Sequence, residues 1–377
     1  MRKFQTFIVA LLFLPALALA QLMPTPPSLA ARSWLLIESG SGQTLAAQAP
    51  DERLEPASLT KLMTAYLTFA ALKQGSIKLD QTITVSDRAW KTGGSRMFIQ
   101  IGTQVSIEDL IKGMIVQSGN DACVALAEAV SGAEENFAQL MNLEAQRLGM
   151  KSSSFRNATG LPDAQHYTTA RDLATLTSAL IADFPEYYAK YYSLKEFRYN
   201  KITQPNRNRL LFIDPSVDGV KTGHTDAAGY CLISSAKRGP RRLLSVVLGT
   251  ASDKVRAQES LKLLNYGFQF YEAVTLHRKG EAVSSLKVWK GREAVVKAGF
   301  TSDLVVAVPT GWSARLKAEF VPPKTLLAPL TQGLVLGTMK VSLDGKPYGE
   351  YPVLALEGVE EAGFFGRMVD SVRLWFN

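Results

Sequence analysis

Cysteine and histidine are nearly absent from this 377-residue chain, which has two of the first and three of the second. Two cysteines cannot build a disulfide framework. Cys123 and Cys231 each sit in an apolar run and read as buried packing residues rather than a bridge. The histidines, His166, His224 and His277, stand in unrelated contexts without a His-x-x-x-His or similar spacing, so no metal set and no cofactor is expected. Internal repeats are missing, and so are low-complexity tracts beyond the proline-rich stretch from Pro24 to Pro27. Charge of either sign is balanced, with 42 Lys and Arg against 34 Asp and Glu. No basic cluster is interleaved with aromatics, which argues against a nucleic-acid partner and suits an anionic envelope or membrane surface.

The one long apolar run, Phe7 to Leu19, follows Arg2 and Lys3 and ends at the small-residue site Ala18-Leu19-Ala20. Residues 1–20 therefore read as a secretory signal peptide, and the mature chain starts near Gln21. Losing two basic residues and no acids takes the net charge from +8 to +6, since 40 minus 34 is 6. The remaining length predicts more than one domain with its own core.

Three short strings then stand out in order: Ser58-Leu59-Thr60-Lys61, Ser118-Gly119-Asn120 and Lys221-Thr222-Gly223. Singly they are weak. Ser-x-x-Lys recurs at Ser284 to Lys287, and Lys-Thr-Gly recurs at Lys91 to Gly93. Context separates them. Ser58 opens a run whose apolar positions, Leu59, Leu62, Met63, Tyr66, Leu67 and Ala70, recur at helical spacing, so Ser58 and Lys61 share a face of a first turn. Ser284 lies in a strand-like stretch, where residues three apart point to opposite faces. Lys221 precedes the apolar strand from Tyr230 to Ala236, which is expected to pair with Leu243 to Leu248 across Lys237-Arg238-Gly239-Pro240, whereas Lys91 leads into a loop.

Together the strings supply the parts for acyl transfer. A serine hydroxyl is a poor nucleophile without a neighbouring base. Lys61 can be that base if burial or a nearby cation such as Lys221 lowers its pKa. Ser118 can relay a proton to the leaving amine, and Asn120 can hold a peptide backbone; Asn120 or Asp121 can also cap the helix that follows. Lys221 and Thr222 suit a terminal carboxylate, and Gly223 lets a substrate backbone approach the strand. Arg207 is a weaker second carboxylate contact, and His224 reads as a packing or positioning residue rather than a base.

Organisation follows the same patterns. Residues 21–278 mix strands and helices, with a hairpin from Trp34 to Ala46, a helical middle from Ile107 to Ile181 and a closing helix from about Lys254 to Tyr271. This predicts an α+β unit, an antiparallel sheet carrying helices and a helical subdomain. Residues 279–358 alternate in short runs with turn signals at Pro322-Pro323 and Asp344-Gly345, which predicts a small β-sandwich. In residues 359–377, Phe364, Phe365, Met368, Val369, Val372, Trp375 and Phe376 form an apolar stripe, with Arg367, Asp370, Ser371 and Arg373 facing away. That segment is too short to span a bilayer and is expected to lie in its interface.

The three strings, with Gln117 to Cys123, Asn206-Arg207-Asn208, Asp218 to Thr225 and Phe364-Phe365-Gly366, resemble the low-molecular-mass penicillin-binding proteins that act as D-alanyl-D-alanine carboxypeptidases. The resemblance implies a β-lactamase/transpeptidase-like fold and removal of the terminal D-alanine from peptidoglycan stem peptides through an acyl-Ser58 intermediate, with β-lactams as covalent inhibitors. It implies an oxyanion hole from the backbone N–H groups of Ser58 and His224. It also implies a periplasmic enzyme held at the outer face of the inner membrane. The segment Trp90 to Gly102 looks shorter than in relatives, which bears on deacylation. Endopeptidase action, weak β-lactam hydrolysis and a non-catalytic penicillin sensor are the alternatives. A class A β-lactamase is disfavoured, because no loop with its deacylating glutamate is expected between Asn120 and Lys221.

Overall fold

The computed structural model describes residues 25–375, so the signal-peptide stretch and Phe376 lie outside the described residues. In chain order come β1 (Ser33–Glu38), β2 (Thr44–Gln48), a 3-10 turn (Ala57–Thr60) and α1 (Lys61–Gln74). Then follow β3 (Thr82–Thr84), α2 (Asp87–Lys91), β4 (Gln104–Ser106), α3 (Ile107–Val116), α4 (Asn120–Ser131), α5 (Glu134–Arg147), α6 (Ala170–Asp183) and α7 (Pro185–Tyr191). A hairpin of β5 (Glu196–Tyr199) and β6 (Ile202–Pro205) and a short α8 (Leu210–Ile213) lead into β7 (Val217–Thr225), β8 (Gly229–Arg238), β9 (Arg241–Thr250) and α9 (Asp253–Phe270).

The main sheet runs β2-β1-β9-β8-β7, antiparallel throughout, with β7 at one edge. Both of its faces are covered, so its strands read as near-continuous apolar runs. Strand alternation divides them: Leu35, Ile37, Ile233, Leu244 and Val246 join the core shared with α1 and α3 to α7, while Trp34, Leu36, Leu232, Leu243 and Val247 pack on Leu263 and Leu264 of α9. The helices around the site have defined ends. Ser106 caps α3 by accepting from Asp109 N, Thr169 caps α6, Ser252 caps α9, and α1 stops at Gly75 in the left-handed region (φ 76°).

The second unit holds β10 (Tyr271–His277), β11 (Ala282–Lys287), β12 (Val295–Gly299), β13 (Leu304–Pro309), a 3-10 turn (Ser313–Arg315), β14 (Leu316–Val321), β15 (Val335–Leu343) and β16 (Lys346–Ala355), then α10 (Phe364–Leu374). Its five-stranded sheet, β11-β12-β16-β15-β14, is faced by the β10–β13 ribbon. Asp344 (φ 50°) and Gly345 (φ 76°) form the tight β15–β16 turn, where two successive positive φ values match the strand twist. Because β10 pairs with β13, the chain enters this unit at Tyr271, before position 279 suggested by sequence texture. Gln43 ties the units together: Ala307 N donates to its Oε1 (2.6 Å) and its Nε2 reaches Ala307 O (3.4 Å).

Three details differ from expectation or extend it. Ser58 lies in the 3-10 turn rather than in the helix proper, and α1 begins at Lys61. Ser284 to Lys287 falls in β11, and a third Ser-x-x-Lys spacing, Ser234 to Lys237, falls in β8. Asp370, on the side away from the apolar stripe, meets the body: its carboxylate accepts from Lys290 N (2.7 Å), so the polar side of α10 is tied to the β unit. The apolar stripe is left outward, with Phe365 78% and Trp375 91% exposed. No helix among the described residues is long and apolar enough to cross a membrane.

Candidate active site

A cleft of about 550 Å³ opens beside edge strand β7, lined by Ser58, Ser118, Asn120, Thr222, Gly223 and His224 among others. The three strings, far apart in sequence, therefore meet at one place. Lys61 and Lys221 are buried behind its wall, 1% and 3% exposed.

The 3-10 turn explains the first pair. At three residues per turn, side chains at i and i+3 eclipse, and Lys61 Nζ lies 3.0 Å from Ser58 Oγ. The same Nζ meets Asn120 Oδ1 at 2.7 Å and the Thr159 carbonyl at 2.6 Å. Both of those oxygens are obligate acceptors, because Asn120 Nδ2 donates to Gly93 O (2.7 Å) and so sets the amide orientation. A neutral Lys61 amine places its two hydrogens on them, which leaves its lone pair for the Ser58 hydroxyl proton.

Burial drives Lys61 below the ordinary lysine range, opposed by Cys123 and Asp121 and assisted by Arg207. Desolvation, rather than the charge of Lys221, is thus the main cause. Lys221 falls well below that range, first through burial and then through the nearby charges of Lys61 and Arg207. Its side-chain nitrogen donates to Ser118 Oγ (2.9 Å) and to Thr222 O (3.1 Å). Ser118 itself sits at φ 69°, a left-handed conformation between α3 and α4 that serine adopts at some cost.

Two sequence-based roles gain a second side. Gly223 does line the cleft, but a Cβ there would lie 3.2 Å from Pro56 O, 3.2 Å from Leu59 Cγ and 3.3 Å from Ala57 Cβ. The packing of β7 on the nucleophile turn thus favours glycine on its own account, beside the room that a bare strand leaves for a substrate backbone. The N-cap position of α4 is Gly119, without a side-chain cap, and Asp121 caps in part from inside the first turn, its Oδ1 accepting from Ala122 N (2.9 Å). The same fully buried carboxylate also accepts from Met97 N (2.9 Å), Phe98 N (2.9 Å) and Ile99 N (3.3 Å), anchoring the short segment beside the cleft.

Arg207 lies at the rim, its Nη2 donating to Ser95 Oγ (2.8 Å), and the His224 ring packs against Tyr230 with centroids 3.9 Å apart and planes tilted by 34°. Residues not singled out from sequence complete the wall. Arg256, buried on α9, donates to Gly223 O (3.1 Å), and Asn157 Oδ1 accepts from Thr159 N (3.1 Å) and Gly160 N (2.7 Å) to shape the loop that faces Ser58. Asn157-Ala158-Thr159-Gly160 carried the only sequence hint, an Asx turn ending in glycine. The one Glu-x-x-x-Asn spacing between Asn120 and Lys221, Glu196 to Asn200, lies in the β5–β6 hairpin, and Asp253 is the only carboxylate among the residues lining the cleft.

Residues 20–252 match the family model of D-alanyl-D-alanine carboxypeptidase, and residues 271–361 match that of the penicillin-binding protein 5 C-terminal domain. The chain belongs to the D-alanyl-D-alanine carboxypeptidase family. It is 46% identical over 374 residues to the D-alanyl-D-alanine carboxypeptidase DacC of Escherichia coli K12, covering 97% of this chain and 93% of that one. Penicillin-binding protein 5 of Haemophilus influenzae has the same fold, with a TM-score of 0.84 and 42% identity over 90% of this chain and all of its own. Penicillin-binding protein D2 of Listeria monocytogenes in an ampicillin-bound form is similar over a smaller share, with a TM-score of 0.60 and 31% identity over 65% of this chain and 100% of that one. The α+β unit followed by an all-β unit is the family architecture.

Proposed function

We propose that this chain is a serine DD-carboxypeptidase that removes the terminal D-alanine from peptidoglycan pentapeptide stems through an acyl-Ser58 intermediate, and that β-lactams acylate the same serine. The observation that carries the reading is the placement of the Lys61 nitrogen, which leaves one electron pair for the Ser58 proton.

An extended D-alanyl-D-alanine terminus adds to the free edge of β7 as a further strand. Its carboxylate meets Lys221, Thr222 and Arg207. That charge favours the ammonium form of Lys221, which in turn favours a neutral Lys61. Lys61 takes the Ser58 proton as Oγ attacks the penultimate carbonyl. The backbone N–H groups of Ser58 and His224 face the developing oxyanion, and losing one such donor typically costs about two to three orders of magnitude in rate. The proton taken up by Lys61 passes through the Ser118 hydroxyl, itself hydrogen-bonded by Lys221, to the amine nitrogen as the C–N bond breaks, which returns Lys61 to its neutral form, while Asn120 uses its second amide hydrogen on the substrate backbone. Water then releases the acyl group.

Export by residues 1–20 and attachment of α10 to the outer face of the inner membrane complete the proposal. Its support is an outward stripe of bulky apolar side chains on a helix tied to the body by its polar side. The β unit then holds the cleft away from the bilayer.

Mass spectrometry of products from a defined muropeptide pentapeptide tests the activity. Release of D-alanine, blocked by penicillin and lost in Ser58→Ala, is expected. D-alanine release by Ser58→Ala refutes the assignment, penicillin labelling without peptide turnover favours a sensor, and cleavage of cross-linked dimers alone favours an endopeptidase.

A further inference from the structure

The turn carrying Ser58 is held from one side by the loop between α5 and α6. Thr159 O reaches Lys61 Nζ, Ala158 O accepts from Thr64 Oγ1 (2.6 Å), and Gly160 comes so close that a Cβ on it would lie 1.7 Å from Ala57 O. One further contact joins the two. His166 Nε2 lies 3.0 Å from Thr60 Oγ1, where Thr60 is fully buried and His166 only 3% exposed. His166 packs edge-on against Phe155 (5.7 Å, 78°), and its Nδ1 has no hydrogen-bond partner among the described residues.

The ring is held in place from its own backbone, because His166 N donates to Asp163 O (2.9 Å) and the next residue, Tyr167, exchanges hydrogen bonds with Ser154. A buried imidazole spending its single side-chain hydrogen bond on the residue between nucleophile and base does more than fill space. The geometry points to His166 as a positioning residue for acylation, fixing the Ser58 turn through the Thr60 hydroxyl against the loop that holds the Lys61 amine. This rests on the serine reading above.

The neutral ring suits the role. Burial pushes His166 down to about 4, with Asp163 opposing and Arg156 and Lys61 assisting, and a second ring proton would face no acceptor. With the ring removed, water enters beside Thr60. Lys61 is then less desolvated, so its pKa rises and the acid limb of activity moves to higher pH.

The test compares His166→Ala, His166→Gln and Thr60→Val with the wild-type chain, by rate of acylation with a fluorescent penicillin, by pentapeptide kcat and KM, and by the pH profile of kcat/KM. His166→Ala and Thr60→Val are expected to acylate about threefold to tenfold more slowly, the worth of one buried hydrogen bond. KM stays near its wild-type value. In His166→Ala the acid limb moves to higher pH, and His166→Gln, whose amide nitrogen reaches Thr60, recovers most of the rate.

His166→Ala with wild-type acylation and an unmoved acid limb overturns the inference, as does a loss in His166→Gln equal to that in His166→Ala. A fall in melting temperature with the acid limb in place marks a merely structural role and also overturns it. If His166→Ala does not fold, Thr60→Val decides alone: wild-type acylation by it refutes the coupling. Failure of the serine reading itself shows differently, as a wild-type protein that penicillin does not label.

Discussion

Replacing Gly223 by alanine separates two accounts of why glycine stands there. The φ of Gly223 is not in the left-handed region, so the backbone accepts alanine and only space is at issue. The added methyl would meet Pro56 O and Leu59 Cγ at 3.2 Å and Ala57 Cβ at 3.3 Å, three contacts on the nucleophile turn. Ordinary carbon contacts settle at about 3.5–4.0 Å, so β7 and the turn must separate by roughly 0.4 Å. Overpacking of this kind costs about 1–3 kcal/mol, less the roughly 0.5 kcal/mol that alanine gains over glycine in a strand, leaving a net loss of about 0.5–2.5 kcal/mol. Since a displacement of about 1 Å at a reacting centre costs on the order of a hundredfold, about 0.4 Å should slow acylation by Ser58 by close to tenfold. Stopped-flow acylation with a fluorescent penicillin, beside a thermal melt, measures both effects. Packing on the turn predicts a fall in the acylation rate with pentapeptide KM little changed. Gly223→Ala that acylates at the wild-type rate, or that loses only KM, refutes this account and returns the glycine to a role in substrate approach.

Further outcomes follow from the buried charges and the exposed helix. Because burial lowers the Lys61 pKa, the base becomes available below the ordinary lysine value of about 10.4, and kcat/KM for D-alanine release should rise with pH along a limb lying under that value. A limb at or above it would show that Lys61 is not desolvated in the working enzyme. Asp121→Ala leaves the N–H groups of Met97, Phe98 and Ile99 without their acceptor and should cost about 3 kcal/mol in urea unfolding; a loss below about 0.5 kcal/mol contradicts the anchoring role. Co-sedimentation with anionic phospholipid vesicles should fall sharply in a Phe365→Ser, Trp375→Ser double variant whose peptidase activity is intact, and unchanged binding would remove α10 from membrane attachment.

The architecture could be read from periodicity because each element carries its own signal. Continuous apolar runs give β8 and β9 and their turn, helical spacing gives α1 and α9, and Asp344-Gly345 marks a hairpin. Choosing Lys221 over Lys91 was also local, since only one of the two lies in a strand. The entry into the β unit was harder to see, because β10 follows α9 without a turn and declares its partner only by pairing with β13, some thirty residues on. The further contacts of Asp121 and Gly223 are hidden for a related reason: the segment 97–99 and the turn 56–59 are distant from them in sequence.

The amino-acid order by itself determined the chemical inventory: one serine with a lysine three residues on, a serine and an amide at a helix start, a lysine on a strand, and a chain almost empty of histidine and cysteine. These are matters of residue type and short-range spacing, which backbone periodicity converts directly into shared faces. Tertiary structure alone decided the state of the groups. Whether Lys61 is a base depends on how much water surrounds it and on which oxygens, from Asn120 and the Thr159 carbonyl, occupy its hydrogens. Desolvation and hydrogen-bond occupancy are set by atoms contributed from every side of a packed site, and no local stretch of sequence holds them all.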